Sequence, residues 1–400
     1  MGIRKFKADY LFTGQELLTS AVLITEEDGT VTGISTAEEA GDNIEVFEGV
    51  ISPAFVNTHC HIELSHMKGT IPAGKGLIEF LTTVINKRNF KAEEILYAMQ
   101  LADEEMYRAG IIAVGDICNT TDSIQVKKNS KINWFNFLEV TGFKEQDAEA
   151  RINYMDNILN EFNKELPLKG RYQSVFNYSA ISPHAPYSVS KKLFSLINNA
   201  SAKQIITIHN QESDAENELY LNKSGGLFKL FKDLNIDAGS FIPSGKSSLQ
   251  TYLPWLNKVA GIILVHNTFT GEDDLLFLHD KNLSAKIYFC ICINANRYIQ
   301  STHPPIELFR KHHCMITLGT DSYASNNHLS ILEEIKTVHQ EFPGIPLSEI
   351  LQWATFNGAR ALGMSNTIGS FDTGKRPGVV LISSIVNQHI TAGSVSGRIL

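Results

Sequence analysis

The sequence predicts an α/β chain: a (β/α)8 barrel carrying a small β-sandwich domain built from both termini. Three observations predict it. Eight apolar runs follow one another between about residues 50 and 319, with helical periodicity between them. Both ends of the chain instead alternate short β-like runs with turns. Polar residues recur just after the apolar runs, and in a parallel barrel all strand ends surround one mouth.

Taken in order, residues 1 to about 50 hold β-like runs at 8–14, 20–25 and 30–34, separated by turns. The eight apolar runs then lie at 50–57, 111–117, 134–140, 174–181, 204–208, 261–265, 284–293 and 315–319. Between them, stretches such as Glu93 to Met106 place apolar residues at helical spacing. From Gly374 the chain returns to short strands, at 374–382, 389–392 and 396–400. Residues 1–50 and 370–400 are therefore read as one composite β-domain, because two separate ends of that size lack the apolar surface to stand alone. Residues 51–369 form the TIM-like barrel. The connection 214–256 is long for one crossover and reads as a loop that covers the site. Gly245-Lys246-Ser247 within it is no phosphate loop, because the upstream glycine and the preceding strand are missing.

Composition excludes several classes. At 400 residues, 43% hydrophobic and 20% charged, the chain has room for a large barrel with an appendage. A formal net charge of −8 with no Lys/Arg block argues against nucleic-acid binding. No apolar run approaches the roughly 20 residues that span a bilayer, and the basic start of the chain has no apolar stretch behind it, so no membrane role is expected. Cys60, Cys118, Cys290, Cys292 and Cys314 show no repeated spacing, which fits reduced thiols and a cytoplasmic location. Cys290-Ile291-Cys292 lies in an apolar run with no second pair, and core thiols fit it better than metal ligands.

The chemistry gathers at the strand ends. The first run closes on His59-Cys60-His61, and residues two apart share one face of a strand, so both imidazoles point the same way. The fifth run closes on His209, with Glu212 three residues on. The sixth closes on His266 and the eighth on Asp321, while Ser182-Pro183-His184 follows the fourth. A packed interior would have to satisfy each of these polar groups separately. Two neutral imidazoles at a strand end make a natural half of a divalent-metal site.

These motifs resemble the amidohydrolase superfamily over essentially the whole chain. The set is Asn57-Thr58-His59-Cys60-His61, Ser182-Pro183-His184, His209-x-x-Glu212, His266-Asn267 and the run from Gly319 to Asn326, with 374–381 resembling that family's return into its β-domain. His-x-x-Glu and Thr-Asp-Ser-x-Ala-Ser-Asn are similar to the mononuclear deaminase and chlorohydrolase branch. The resemblance implies one zinc or iron per chain on His59, His61, His209 and Asp321. It also implies that His266 orients the attacking water and that Glu212 shuttles protons. Elementary chemistry agrees, since three imidazoles and a carboxylate leave a position open for a water that can lose a proton near neutral pH. Asp321 can accept that proton while holding the metal, and Glu212 lies close enough along the chain to protonate a leaving nitrogen. The strand-4 stretch 174–184 contains no lysine to bridge two metals, so one divalent transition metal is expected.

For the substrate, the stretches from His61 to Gly69 and from Gly76 to Arg88 look like aminodeoxyfutalosine deaminases more than adenosine–homocysteine deaminases. Such enzymes replace an exocyclic purine amine by a carbonyl. The resemblance makes Glu63 and Arg88 substrate-contact candidates, with His184 near the heterocycle. Arg88, beside Lys87, also fits a solvated helix charge, and His66 reads as a hydrogen-bonded support. Related deaminases often carry Cys-Pro before the asparagine-containing segment after strand 7; here the stretch is Cys292-Ile293-Asn294-Ala295-Asn296, without the proline, and Asn296 is a pocket candidate.

The expected activity is metal-dependent removal of an exocyclic amine from a purine-like or other nitrogen heterocycle, aminodeoxyfutalosine among them, by water. Hydrolysis of a ring C–N or amide bond, as in cyclic-amide hydrolases, uses the same metal and water and stays open. A catalytically silent binding barrel is the third reading. The presence of every proposed ligand and of both proton-transfer residues speaks against it. Barrels of this sort often associate as homo-oligomers, but no interface is legible in the sequence.

Overall fold

Runs that are apolar on both faces make strands that must be covered on both sides, and the eight parallel strands of this chain are buried along most of their length. The structure is a computed structural model that describes residues 2–166, 168, 175–233, 236, 238, 241–281 and 283–400. Strands β1 (Phe55–Cys60), β2 (Ile111–Cys118), β3 (Asn133–Val140) and β4 (Asn177–Pro183) pair in parallel, in the order β4-β3-β2-β1. Strands β5 (Ile205–Asn210), β6 (Gly261–His266), β7 (Lys286–Ile291) and β8 (Ile316–Leu318) form a second parallel sheet in sequence order. Every residue of β1, β3 and β6 is buried.

Hydrogen bonds join the two sheets at both seams. Between β1 and β8, Cys60 and Asp321 form a parallel bridge, and Thr58 Oγ1 donates to Leu318 O at 2.9 Å. Between β4 and β5, the His209 amide donates to His184 O at 2.9 Å. Alternate side chains of one strand feed two different cores. Phe135, Phe137, Ile263 and Val265 pack together in one cluster, whereas Trp134, Leu138, Ile262 and Leu264 pack in another with the surrounding helices. The helix Ala148–Glu165 shows why it docks there. It buries Ala148, Ile152, Met155, Ile158 and Phe162, a stripe at helical spacing, and each large side chain contributes about 1.5–3 kcal/mol.

The two ends of the chain pair with each other. A five-stranded sheet has the order Val395–Arg398, Val379–Ser383, Val50–Pro53, Tyr10–Phe12, Leu17–Thr19. A four-stranded sheet has the order Val31–Thr36, Ala21–Glu26, Ile3–Lys7, Ile44–Val46. Phe6, Leu11, Leu23, Ile51, Phe371 and Val379 share one core from both sheets and the C-terminal stretch.

Two expectations need correction. The run 50–57 is two strands, because Pro53 has no amide to continue a ladder; Val50–Pro53 pairs with Val379–Ser383, and β1 begins at Phe55. The stretch 214–256 is largely helical, with helices Asp214–Asn222, Gly225–Asp233 and Ser248–Tyr252. The expected start of strand 4 at Ser174, and Asp237, Gly239 and Ser240 of the expected loop, lie outside the described residues. All five cysteines are free, and Cys290 and Cys292 are core side chains, with Cys290 Sγ 3.2 Å from Thr58 Oγ1. No helix among the described residues is long and apolar enough to cross a membrane.

Candidate metal centre and active site

His59 lies in β1 and His61 just beyond it, so the two-residue repeat turns both rings to one side. Their Nε2 atoms are 3.1 Å apart. His209, near the end of β5, points its own Nε2 to within 3.3 Å of His61 Nε2. Asp321, past β8, brings Oδ1 to 3.5 Å from His59 Nε2 and 3.4 Å from His61 Nε2. The Asn57 and Thr320 side chains lock this meeting: Asn57 Nδ2 donates to Thr320 Oγ1 at 2.8 Å, and Asn57 Oδ1 accepts the Thr320 amide at 3.1 Å. Gly319 has to be glycine here, because a Cβ would stand 2.9 Å from His59 Cβ and 2.7 Å from Cys290 Sγ.

The donor set has the chemistry of a cation site. His209 Nδ1 lies 2.9 Å from His184 O, which can only accept, so Nδ1 carries the proton and Nε2 presents a lone pair. Burial, reinforced by neighbouring rings, pushes His61 down to about 3 and His209 well below its ordinary value. Burial also lowers His59, against the opposing pull of Asp321. Burial alone would raise Asp321, yet His59, His61 and His266 hold it well below the usual carboxylate range. Neutral imidazoles and an ionised carboxylate thus aim lone pairs at one another. They fit one divalent transition metal.

Beside this cluster stand two groups suited to moving protons. His266 ends β6, with Nε2 3.6 Å from Glu212 Oε1. Asn296 Oδ1 lies 2.8 Å from His266 Nδ1, which places the proton on Nδ1 and leaves Nε2 as the acceptor. Burial raises Glu212, opposed by His266. A carboxyl raised in this way keeps its proton to higher pH than a solvated one and can serve as a proton donor. The backbone here is strained: His266 and Asp321 have φ of 71° and 58°, conformations that cost a non-glycine residue about 1–3 kcal/mol each. Strain of this kind collects at functional sites.

The site opens on one cavity of about 740 Å³, with His59 fully buried behind it. His61, His184, His209, Glu212, His266 and Asp321 supply its polar part. Leu77, Phe80, Val84, Phe143, Phe231 and Ile236 supply an apolar wall, and Arg88, Lys144 and Arg151 add cations. Phe231 comes from the helix Gly225–Asp233, so the long connection after β5 does contribute to the site.

A model of the amidohydrolase family matches residues 50–400. The chain belongs to the amidohydrolase family. A 5'-deoxyadenosine deaminase of Methanococcus maripaludis is 27% identical over 395 residues, which cover 92% of this chain and 82% of that protein. The solved structure of Helicobacter pylori aminofutalosine deaminase in complex with methylthio-coformycin has a TM-score of 0.78 at 22% identity, covering 97% of this chain and 93% of that one. An adenosine deaminase from Xanthomonas campestris with bound zinc has a TM-score of 0.72 at 18% identity, covering 94% and 84%. These two structures share the fold of this chain.

Two of the substrate contacts expected in this amidohydrolase lie elsewhere. Glu63 faces away from the cavity into the turn after β2, where its carboxylate accepts from Asn119 N at 3.0 Å, Thr120 N at 3.2 Å and Ser123 Oγ at 3.3 Å. Burial pushes it up to about 7. The reason is the 3-10 turn Ile62–Met67, which redirects the chain directly after His61. Asn296 sits on the helix Ile293–Gln300 and supports His266 from behind, without lining the cavity. Arg88 and His184 do line it. His66 donates from Nε2 to Arg88 O at 3.0 Å. Among the pocket residues that the sequence does not single out is Glu139 in β3, whose Oε2 accepts from Asn119 Nδ2 at 2.9 Å and whose Oε1 stands 3.7 Å from His209 Nδ1. Its signal was present, a carboxylate near the end of an apolar run.

Proposed function

We propose that this amidohydrolase is a metal-dependent deaminase that replaces the exocyclic amine of a purine-like heterocycle by a carbonyl and releases ammonia. The observation that carries this is the convergence of three imidazole Nε2 atoms and Asp321 beside a buried Glu212, at the wall of one cavity. The names of the relatives, 5'-deoxyadenosine deaminase and aminofutalosine deaminase, support the same reaction class. A divalent ion, zinc or iron, held by His59, His61, His209 and Asp321 supplies Lewis acidity that makes water nucleophilic near neutral pH.

The chain handles the protons. His266 Nε2 holds the attacking water through its lone pair, and Asp321 accepts the proton that the water loses as it adds to the amine-bearing carbon. Glu212 gives its proton to the ring nitrogen beside that carbon. The proton held by Asp321 then passes to the departing amine, and the new hydroxyl returns its proton to Glu212 as the C–N bond breaks and the carbonyl forms, so that ammonia leaves. Arg88 and His184 are assigned to substrate contact because both line the cavity. A cavity of about 740 Å³ with an apolar wall exceeds what a bare heterocycle fills, so the substrate is read as a nucleoside with an apolar extension. Aminodeoxyfutalosine is the specific candidate, supported by the shared fold with the Helicobacter pylori enzyme.

The eight strands are read as one closed (β/α)8 barrel over 51–369, supported by hydrogen bonds across both seams. The terminal sheets are read as a β-sandwich of 1–50 with 370–400, supported by their shared core. Free cysteines support a cytoplasmic location. The test of function is to incubate the metal-loaded protein with adenosine, 5'-deoxyadenosine, aminodeoxyfutalosine and a set of cyclic amides. Ammonia with an intact ring is the expected result. A ring-opened product would assign it to cyclic-amide hydrolysis, and a metal-loaded protein that binds these compounds without turnover would be a binding barrel.

A further inference from the structure

The turns that follow β1 and β2 are cross-latched by buried charge. Asp116 of β2 is in register with Cys60, which stands between His59 and His61, and its Oδ1 accepts the Ile62 amide at 2.8 Å. Ile62 opens the 3-10 turn directly after His61. In return, Glu63 of that turn accepts the Asn119 and Thr120 amides beyond β2, at 3.0 and 3.2 Å.

Lys127 closes the latch. It is 1% exposed, sits on the helix Ile124–Asn129, and donates to Asp116 Oδ2 at 2.6 Å and to Cys118 Sγ at 3.1 Å. Its Nζ lies 4.9 Å from the Trp134 ring centroid and 5.5 Å from that of Phe162. An ion pair among aromatic rings is an unfavourable way to fill space, because an apolar pair of similar volume does so without desolvating two charges. What the pair provides instead is an acceptor in a fixed place for Ile62 N, one residue from His61. The contacts continue from Asn119 to Glu139, and Glu139 Oε1 stands 3.7 Å from His209 Nδ1.

We infer that Lys127 and Asp116 are positioning residues for the metal centre, which fix the backbone at Ile62 and through it the ring of His61. The inference rests on the four-ligand metal reading given above. Neither residue lines the cavity, so the effect runs through the backbone and not through substrate. Loss of a partner that orients a metal ligand lowers metal affinity roughly 10- to 100-fold.

The test uses the full chain and three readouts: zinc affinity by competition with a chromogenic chelator, the visible spectrum of the cobalt-substituted protein, and the melting temperature without metal. Lys127→Met leaves Asp116 buried and unpaired, and is expected to lose both stability and roughly 10- to 100-fold in zinc affinity. Asp116→Leu with Lys127→Met packs the space with apolar side chains. It is expected to regain the metal-free melting temperature while affinity stays low and the cobalt spectrum stays altered. Asp116→Asn with Lys127→Met keeps an acceptor for Ile62 N and is expected to regain most of the affinity. Wild-type affinity and spectrum in the Leu/Met protein would overturn the inference and leave the pair a packing element. If these variants do not fold, Glu63→Ala opens only the reciprocal half; a several-fold loss of affinity supports the latch, and unchanged affinity overturns it. A wild-type protein that binds no zinc is a separate failure, that of the metal reading itself.

Discussion

Asn296 stands behind His266, its Oδ1 2.8 Å from Nδ1 of the ring. The contact holds Nδ1 as the donor and leaves Nε2 as the lone pair that faces Glu212 Oε1 at 3.6 Å. A side chain expected to touch substrate is thereby one that sets the tautomer and angle of a histidine.

Asn296→Ala should therefore act on turnover and not on binding. Steady-state kinetics are expected to show kcat reduced about 10- to 100-fold with KM nearly unchanged. A raised KM at constant kcat would return Asn296 to the substrate.

His209→Ala removes one of three imidazoles from the proposed metal set, and the protein is expected to lose most of its metal. Elemental analysis of the purified variant measures this. Full occupancy would take His209 out of the coordination sphere.

Glu212 carries the prediction that separates chemistry from metal binding. Glu212→Gln keeps shape and metal, so turnover alone should fall, by roughly two to four powers of ten. The alternative of a helix cap is already filled by Ser213, whose Oγ accepts from Ala215 N at 3.3 Å at the start of Asp214–Asn222. Metal content, melting temperature and turnover measured on one preparation decide the matter. Near-normal turnover with a lowered melting temperature would end the proton-shuttle role.

Stability should decline as pH rises above the ordinary histidine value of 6.5. Glu216 is buried, with Oε1 accepting the Gln211 amide at 3.0 Å and the Ser248 hydroxyl, and with no hydrogen-bond partner for Oε2. Burial pushes its carboxyl from an ordinary 4.5 up to about 8, and burial does the same to Glu334. A carboxyl raised by folding binds its proton more tightly in the folded chain. Its contribution is whole below 4.5 and is lost as pH rises through about 8. Below 6.5 the buried imidazoles of His59, His61 and His209, lowered by burial, act in the opposite direction, so melting temperatures taken from about 6.5 to 8 should fall for the native chain and fall less for Glu216→Gln. Two parallel profiles would show that Glu216 is not a source of the slope.

The sequence made the metal cluster legible for a simple reason: His59, His209, His266 and Asp321 each follow an apolar run with no polar face to explain them. It merged Val50–Pro53 with β1 because both are buried on both faces, so their apolar patterns run together and only Pro53 marks the break. Glu63 and Asn296 were misdirected for another reason. Which way they point depends on a 3-10 turn and on the packing of the helix Ile293–Gln300 against His266, and neither leaves a periodic trace. Lys127 has no signature at all, since a lysine followed by a second lysine in a short helix reads as solvated until Trp134 and Phe162 are seen around it.

The proposed ligands divide evenly along the chain: His59 and His61 come from the end of β1 and the residue just past it, His209 from β5 and Asp321 from the turn after β8. A chain opened within the helix Lys191–Ala200 would leave two donors on each fragment. An ion that needs all four then acts as a buckle, and the rejoining of the fragments would report how much free metal surrounds them.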